Sequence, residues 1–411
     1  MARVLVEHGI NRGSAVALYL ERCNDFLAAM LGVLKAGAAF IPIEPEYPAQ
    51  RVRFMLGDCK ADGIITRAGL LALARDAAAP GCRCIVALDG EAVASDATEL
   101  QRAVGRASAG QIASRLEVLG AQQLATASPD DLPLCGTSDD LAYMMYTSGS
   151  TGQPKAAMIE HGGKINHIYG QFHALALRDD LVMLQSAPSS SDISVWQFLA
   201  PVLVGGHTVI VSLDVVRDPR RLLRVLRDEK ITLFEPVPAV LQALVDHVAT
   251  LEPSAAICHL QWLMATGEAI SPALVNRWLS RFPNIPLVNA YGPTEAADDT
   301  SQAIFRHPIS DRERSVSIGT SLANLSMVVV DDRLRLVPRG APGEICVSGI
   351  GVGRGYLGHP ERTAAAFVAN PIPDTFGATL YRTGDLGRWR PNGSLEFLGR
   401  IDHQVKLRGY R

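Results

Sequence analysis

The densest chemistry in the sequence lies at Leu141–Lys155, LAYMMYTSGSTGQPK, where an apolar run passes straight into nine residues of Thr, Ser, Gly, Gln, Pro and Lys. Gly149 and Gly152 let backbone N–H groups curl around an anion without Cβ clashes. Hydroxyls of Thr147, Ser148, Ser150 and Thr151 add donors, and Lys155 adds one point charge. Together they make a phosphate cradle. The loop is not of the Walker A type, because the Gly-x4-Gly-Lys spacing is missing. A flexible surface turn is the plain alternative, but turns rarely join so many donors to a positioned lysine.

Six further motifs accompany this loop in order: LKAGAAFIPIEP at 34–45, SDISVW at 191–196, NAYGPTE at 289–295, GEICVSGIGVGRGYL at 343–357, YRTGDL at 381–386 and GRIDHQVKLRGYR at 399–411. With the loop they span almost the whole chain. The set resembles the AMP-forming ligase superfamily of acyl-CoA synthetases, firefly luciferase and the adenylation domains of nonribosomal peptide synthetases. Gly353–Gly358 also fits G-x-G-x-x-G, but no long helix of a βαβ unit opens after it, so a dinucleotide role has no support. Neither HExxH, paired CxxC nor GxSxG occurs.

The resemblance implies ATP and Mg²⁺ as cofactors. It makes Thr147, Lys155, Thr294 and Glu295 the catalytic set, with Glu295, a hard oxygen ligand, on the metal. The nucleotide would be held by Ser148, Gly149, Ser150, Thr151, Gly152, Gly267, Glu268, Asn289, Tyr291, Asp385, Phe397 and Arg400. Tyr291 offers an aromatic face to adenine and Asn289 an amide to its polar edge. Asp385 can accept both ribose hydroxyls, with Arg400 close to the same sugar. Asp402 would be the hinge to a small C-terminal subdomain. That subdomain, with the lysine that meets the reacting carboxylate and phosphate, is expected beyond Arg411, which makes residues 1–400 the large core. Two other departures from the family pattern are Ser191, where an aromatic residue is usual, and Ala156, where glycine is common.

Substrate class turns on Asp192, which in the amino-acid-activating members holds the α-ammonium; acyl- or aryl-CoA ligases, the rival reading, lack that need. Carried over residue by residue, the substrate pocket is Asp192, Ile193, Trp196, Glu235, Met264, Thr266, Ala290, Asp298 and Asp299. Three acids beyond Asp192 cannot all stay ionised unless a cation joins them. The side chain recognised is therefore expected to be basic, a short diamino acid first. The expected activity is adenylation of that amino acid to aminoacyl-AMP and pyrophosphate, for transfer to the phosphopantetheine arm of a carrier protein. The resemblance leaves room for an MbtH-like activator as a further partner. A core that binds its substrates but turns over poorly is the second alternative.

These residues need a scaffold, and the pattern supplies one. The alternation of apolar runs and polar breaks over 14–43 reads as strand, helix, strand. Short β-branched runs recur at Gly63–Thr66, Cys84–Leu88, Val209–Val211 and Met327–Val330, with helical patterns at Pro219–Lys230 and Pro238–Val248. The fold class is α/β, with mixed sheets, packed helices and a smaller β-rich lobe over about 320–400. Residues 92–133 read as a variable surface connection. With 48% hydrophobic residues, 20% charged and a net charge of −3, the chain can bury a large core and gives no reason to expect nucleic acid or an anionic membrane as partner. Neither a signal peptide nor a spanning segment is evident, so a cytoplasmic location is expected. The seven cysteines are scattered and read as reduced and structural.

Overall fold

The computed structural model describes residues 1–90, 116–147, 153–251, 257–310 and 312–401. The chain divides into two compact units, Met1–Tyr146 and Thr147–Arg411.

The first unit grows from the expected strand–helix–strand. Strands β1 (Ala15–Tyr19) and β2 (Ala39–Ile43) are fully buried and pair in parallel, Ala15 against Ala39. Between them the Asn24–Lys35 helix buries Phe26, Ala29, Met30 and Val33, the i, i+3, i+4, i+7 stripe of one helical face. Gly37, at φ +78°, turns the chain out of that helix in a left-handed conformation that glycine adopts without strain. Strands β3 (Gly63–Thr66), β4 (Cys84–Ala87), β5 (Glu117–Leu119) and β6 (Leu141–Thr147) complete a parallel sheet in the order β6-β2-β1-β3-β4-β5. The stretch read as a variable connection thus contributes an edge strand and the short helix Ala121–Thr126, while its residues 92–115 lie outside the described residues.

The second unit opens with β7 (Lys155–Glu160) and continues through β8 (Val182–Gln185), β9 (His207–Ile210), β10 (Leu233–Phe234), β11 (Trp262–Ala265) and β12 (Leu287–Tyr291). Strands β8 to β12 form a parallel array in the order β9-β8-β10-β11-β12. Helices Pro219–Asp228, Pro238–Ala249 and Pro272–Arg281 each begin with proline, whose fixed φ suits the first turn. Their apolar faces, among them Leu222, Leu226, Leu241, Leu244 and Trp278, close one core against these strands. The path then turns antiparallel through β13 (Ser301–Phe305), β14 (Ser317–Ser321), β15 (Leu325–Val330), β16 (Gly343–Gly349), β17 (Gly355–Tyr356), β18 (Phe367–Ala369), β19 (Thr379–Trp389) and β20 (Leu395–Arg400). The β-rich segment is continuous with the parallel array. Pairing of β14 with β20 joins the two in one path running β15-β16-β19-β20-β14-β13-β12. Strand β17 pairs instead with β7, Gly355 against Met158. Among the described residues no helix is long and apolar enough to cross a membrane, and the seven cysteines are free thiols.

Candidate active site

Every site residue anticipated from the sequence that the structure describes belongs to the second unit. The residues expected to form the cradle, Ser148–Gly152, and the expected hinge residue Asp402 lie outside the described residues. The two expected edges of the cradle are in place: Thr147 ends β6 and its hydroxyl donates to the Lys155 carbonyl at 3.5 Å. Lys155 Nζ stands 3.5 Å from Glu295 Oε1 and 3.8 Å above the Tyr356 ring. The Tyr356 hydroxyl donates to the same Glu295 oxygen at 2.9 Å, so a fully buried carboxylate faces both a cation and a hydroxyl. Glu295 sits in the 3₁₀ turn Thr294–Ala296, and its carbonyl accepts from Gly353 N at 2.9 Å. A Cβ at Gly353 would press on the Met158 and Glu295 carbonyls. Gly353 therefore serves close packing of the segment before β17 on β7 and on the Glu295 turn.

On the other side of the β12 end, the Tyr291 hydroxyl donates to Asp385 Oδ2 at 2.6 Å, and Arg400 Nη1 donates to Asp385 Oδ1 at 2.7 Å. Asp385 and Arg400 are cross-strand partners on β19 and β20. Phe397 stands 6.0 Å from the Tyr291 ring, the spacing of an aromatic pair. Asn289 donates one of its two amide hydrogens to the Ser317 carbonyl at 2.8 Å. Gly267, at φ +84°, and Glu268 follow β11 on a half-exposed turn.

The residues expected to line a substrate pocket converge where the parallel array reverses its winding, at the ends of β8 and β10. Gln197, fully buried, bridges these ends. Its Oε1 accepts from the N–H groups of Ser186 and Ala187 (2.9 and 3.0 Å), which follow β8, and its Nε2 donates to the Glu235 carbonyl and Oε2 (both 3.2 Å), which follow β10. Asp192 opens the Asp192–Val204 helix, where backbone N–H groups favour an anion, and accepts from Ile193 N at 3.1 Å. Trp196, Met264 and Ala290 form an apolar wall in one buried cluster; Ile193 approaches Gly267 beside it.

Asp298 and Asp299 turn inward. Ala297 and Asp298 both hold positive φ (63° and 89°), an uncommon backbone that re-aims the chain, and Gly292 leaves room for the Asp298 carbonyl. Asp299 accepts from Thr266 Oγ1 at 3.0 Å and Gln171 Nε2 at 3.3 Å. Asp298 accepts from Lys164 Nζ at 2.8 Å, with both side chains 3% exposed. His167 packs edge-on against Trp196 at 5.4 Å. Burial drives its pKa down to about 3, helped by Lys164 and opposed by Asp298 and Asp192, so it is neutral. Burial pushes Asp298 up to about 6 against the pull of Lys164. Burial, then the charges of Asp299 and Asp298, raise Glu235 well above the usual carboxylate range. A separate cleft of about 480 Å³, lined by Arg312, Glu313, Trp389 and Arg390, holds none of the anticipated site residues.

The model of the AMP-binding enzyme family matches residues 1–357. The chain belongs to that family. It is 37% identical to a segment of tyrocidine synthase 3 of Brevibacillus parabrevis, over 100% of this chain and 6% of that protein. Bacitracin synthase 1 of Bacillus licheniformis is 35% identical over 100% of this chain and 7% of its own length. The chain thus spans a small fraction of the curated relatives it matches. Crystal structures of the nonribosomal peptide synthetase FmoA3 share the fold. The form with bound α-methyl-L-serine-AMP aligns at TM-score 0.80 and 29% identity, covering 98% of this chain and 41% of that one, and the AMPPNP-bound form at 0.80 and 27%, covering 97% and 38%. The resemblance read from the motifs, and the mixed α/β architecture expected with it, are borne out.

In this AMP-binding enzyme the motifs did not reveal Lys164, His167, Gln171 and Gln197. The first three lie on the His161–Leu175 helix at i, i+3 and i+7 and are buried, where a packed helix usually places apolar side chains. A polar stripe in phase with the apolar Ile168 and Leu175 was the available signal. Lys164 also supplies a cation that the acids of the pocket were expected to take from a ligand.

Proposed function

We propose that the chain activates an α-amino acid with a basic side chain, a short diamino acid first, by transfer of AMP from ATP to its carboxylate. The observation that carries this reading is the set of buried carboxylates gathered at the β8/β10 reversal, Asp192, Glu235, Asp298 and Asp299. In a doubly wound sheet such a reversal is where ligands enter. Asp192 would hold the α-ammonium. Asp298 is balanced by Lys164, which leaves Asp299 and Glu235 to meet one cationic group on the substrate.

The reaction forms a bond from a substrate carboxylate oxygen to the α-phosphorus of ATP and breaks the bond to pyrophosphate. Lys155, with Thr147 and the cradle beside it, would meet the phosphates; Thr294 faces the α-phosphate in this reading. Asp385 and Arg400 would hold the ribose, and Tyr291 the adenine face. The donor set suits Mg²⁺, since Glu295 presents a hard carboxylate oxygen next to a hydroxyl residue. An ion held there would offset charge on the phosphates. No residue becomes covalently attached; the protein's part is positioning and charge stabilisation. The large core to residue 400, the hinge at Asp402, a carrier protein with its phosphopantetheine arm, and an MbtH-like activator belong to the same reading. It is tested by amino-acid-dependent pyrophosphate exchange on the full-length protein across a substrate panel. A basic amino acid should be activated best; a neutral one activated best would reject the basic side chain, and CoA-thioester formation from an acyl or aryl acid would reject the class.

A further inference from the structure

The His161–Leu175 helix carries the unexpected part of the pocket. Lys164 is 2% exposed, an uncommon state for a lysine. Its Nζ donates to Asp298 Oδ2 at 2.8 Å and to the Asp192 backbone carbonyl at 3.4 Å, and lies 3.3 Å from His167 Nδ1. One ammonium thus meets both the residue proposed for the α-ammonium and a residue proposed for the side chain. His167, being neutral, accepts from Lys164 at Nδ1 and so carries its proton on Nε2. That nitrogen is buried without a hydrogen-bond partner and lies 3.7 Å from Asp299 Oδ2. Glu235 Oε1 is likewise buried without a hydrogen-bond partner.

The approach of this helix is built in. Gly163 faces the Ile350 carbonyl at 3.0 Å and Ala297 Cβ at 3.3 Å from where a side chain would begin, so this face of the helix lies close against the chain at Ala297. The positive φ of Asp298 brings its carboxylate to the lysine from the other side.

We propose that Lys164 is a specificity-determining residue: it neutralises Asp298 from within, so the side-chain subsite selects a substrate bearing one cationic group, met by Asp299 and Glu235. The proposal rests on the reading that these residues line the amino-acid side-chain subsite. A subsite holding three acids and no cation would favour a doubly charged or strongly basic group. With Lys164 in place, a second substrate cation would face the ammonium. Removing either partner of a dry ion pair leaves the other unmatched, and a ligand charge of the right sign then becomes the cheapest match.

The test compares 2,4-diaminobutyrate with homoserine, its neutral near-isostere, by kcat/KM in pyrophosphate exchange on the full-length protein. Lys164→Met should raise the ratio of basic to neutral substrate at least tenfold. Asp298→Asn, which strands the lysine, should lower it at least tenfold. KM for ATP should stay within about twofold in both. A merely structural ion pair would weaken both substrates alike and leave the ratio alone. If Lys164→Met does not fold, Asp298→Asn decides by itself. Asp299→Asn separates the two levels of the argument. If it moves the ratio while the other folded variants do not, the assignment of Lys164 fails and the subsite stands. If none of the three moves it, both fail. Opposite shifts in the two variants around a wild type that prefers homoserine would uphold Lys164 and reject the basic substrate.

Discussion

The two units wind their parallel strands alike. In the first the order is β2-β1-β3-β4-β5 and in the second β9-β8-β10-β11-β12, the same 2-1-3-4-5 succession counted from each unit's first strand in the array. Each therefore has a reversal point, and the two are finished differently. In the first unit Thr66, at the end of β3, donates its hydroxyl to the Tyr19 carbonyl at the end of β1 (3.0 Å). Arg67 then pairs with Asp25 at 2.6 Å and Asp89 at 3.6 Å on a partly solvated rim. In the second unit the side chain that ties the strand ends comes from the following helix: Gln197 bridges β8 and β10, and the carboxylates of Glu235 and Asp192 beside it are buried. Winding alone creates a place for a ligand. Whether it is one depends on what the strand ends hold: charges matched in water cost little, whereas clustered buried carboxylates demand a partner.

The largest effect should come from the second reversal. Asp192→Ala should reduce pyrophosphate exchange for every α-amino acid by about 10³-fold, the scale of losing one partner of a buried charged pair, with ATP affinity retained. A variant that still activates any amino acid near wild-type rate would show that this cluster of carboxylates is not the substrate site. Next, Asp385→Ala removes the carboxylate that Tyr291 and Arg400 both hold. Nucleotide affinity by calorimetry should fall tenfold or more, as for loss of charge-assisted hydrogen bonds; unchanged affinity would take Asp385 out of the site.

The sequence made the scaffold legible because its signals are local. The alternation over 14–43, the β-branched runs and the helical patterns opening at Pro219 and Pro238 each report their own element, and Gly63–Thr66 is a strand as read. Asp192, Asp298 and Asp299 could be singled out because each adjoins a motif. Lys164 could not, because its partner Asp298 is 134 residues away and their meeting depends on Gly163 and on the backbone at Ala297–Asp298. The single path joining the β-rich segment to the parallel array was hidden for the same reason: the β14–β20 pairing links distant runs.

The buried charges also make the second unit the pH-sensitive one. His167 titrates near 3 when folded against an ordinary value of 6.5, so the unfolded chain binds its proton first, and stability is lost as pH falls from about 6.5 toward 3. Asp298, raised from 3.8 to about 6, acts oppositely: the folded state keeps its proton, and stability is lost as pH rises through that window. Between these values the two slopes offset each other. His167→Asn removes the first, so its melting temperature relative to wild type should improve as pH is lowered from about 6.5 to about 4. Asp298→Asn removes the second, so its relative melting temperature should worsen over the same descent. Parallel curves for wild type and both variants would mean that these groups do not titrate with folding.

The smallest effect is expected at the first reversal, and it is the sharpest check on the comparison. Arg67 is about one-third exposed and its partners more so, which places its ion pairs in the solvent-screened regime worth under about 1 kcal/mol. Arg67→Ala should therefore lower stability by no more than that, less still in about 1 M salt, where the screening length shrinks to about 3 Å. Amino-acid activation and nucleotide affinity should stay within about twofold. Thr66 would continue to close β3 on β1, because its hydroxyl bond to Tyr19 does not involve the arginine. A tenfold loss of activation in a variant that melts normally would show that the first reversal also serves the reaction, and that identical winding had been put to the same use twice.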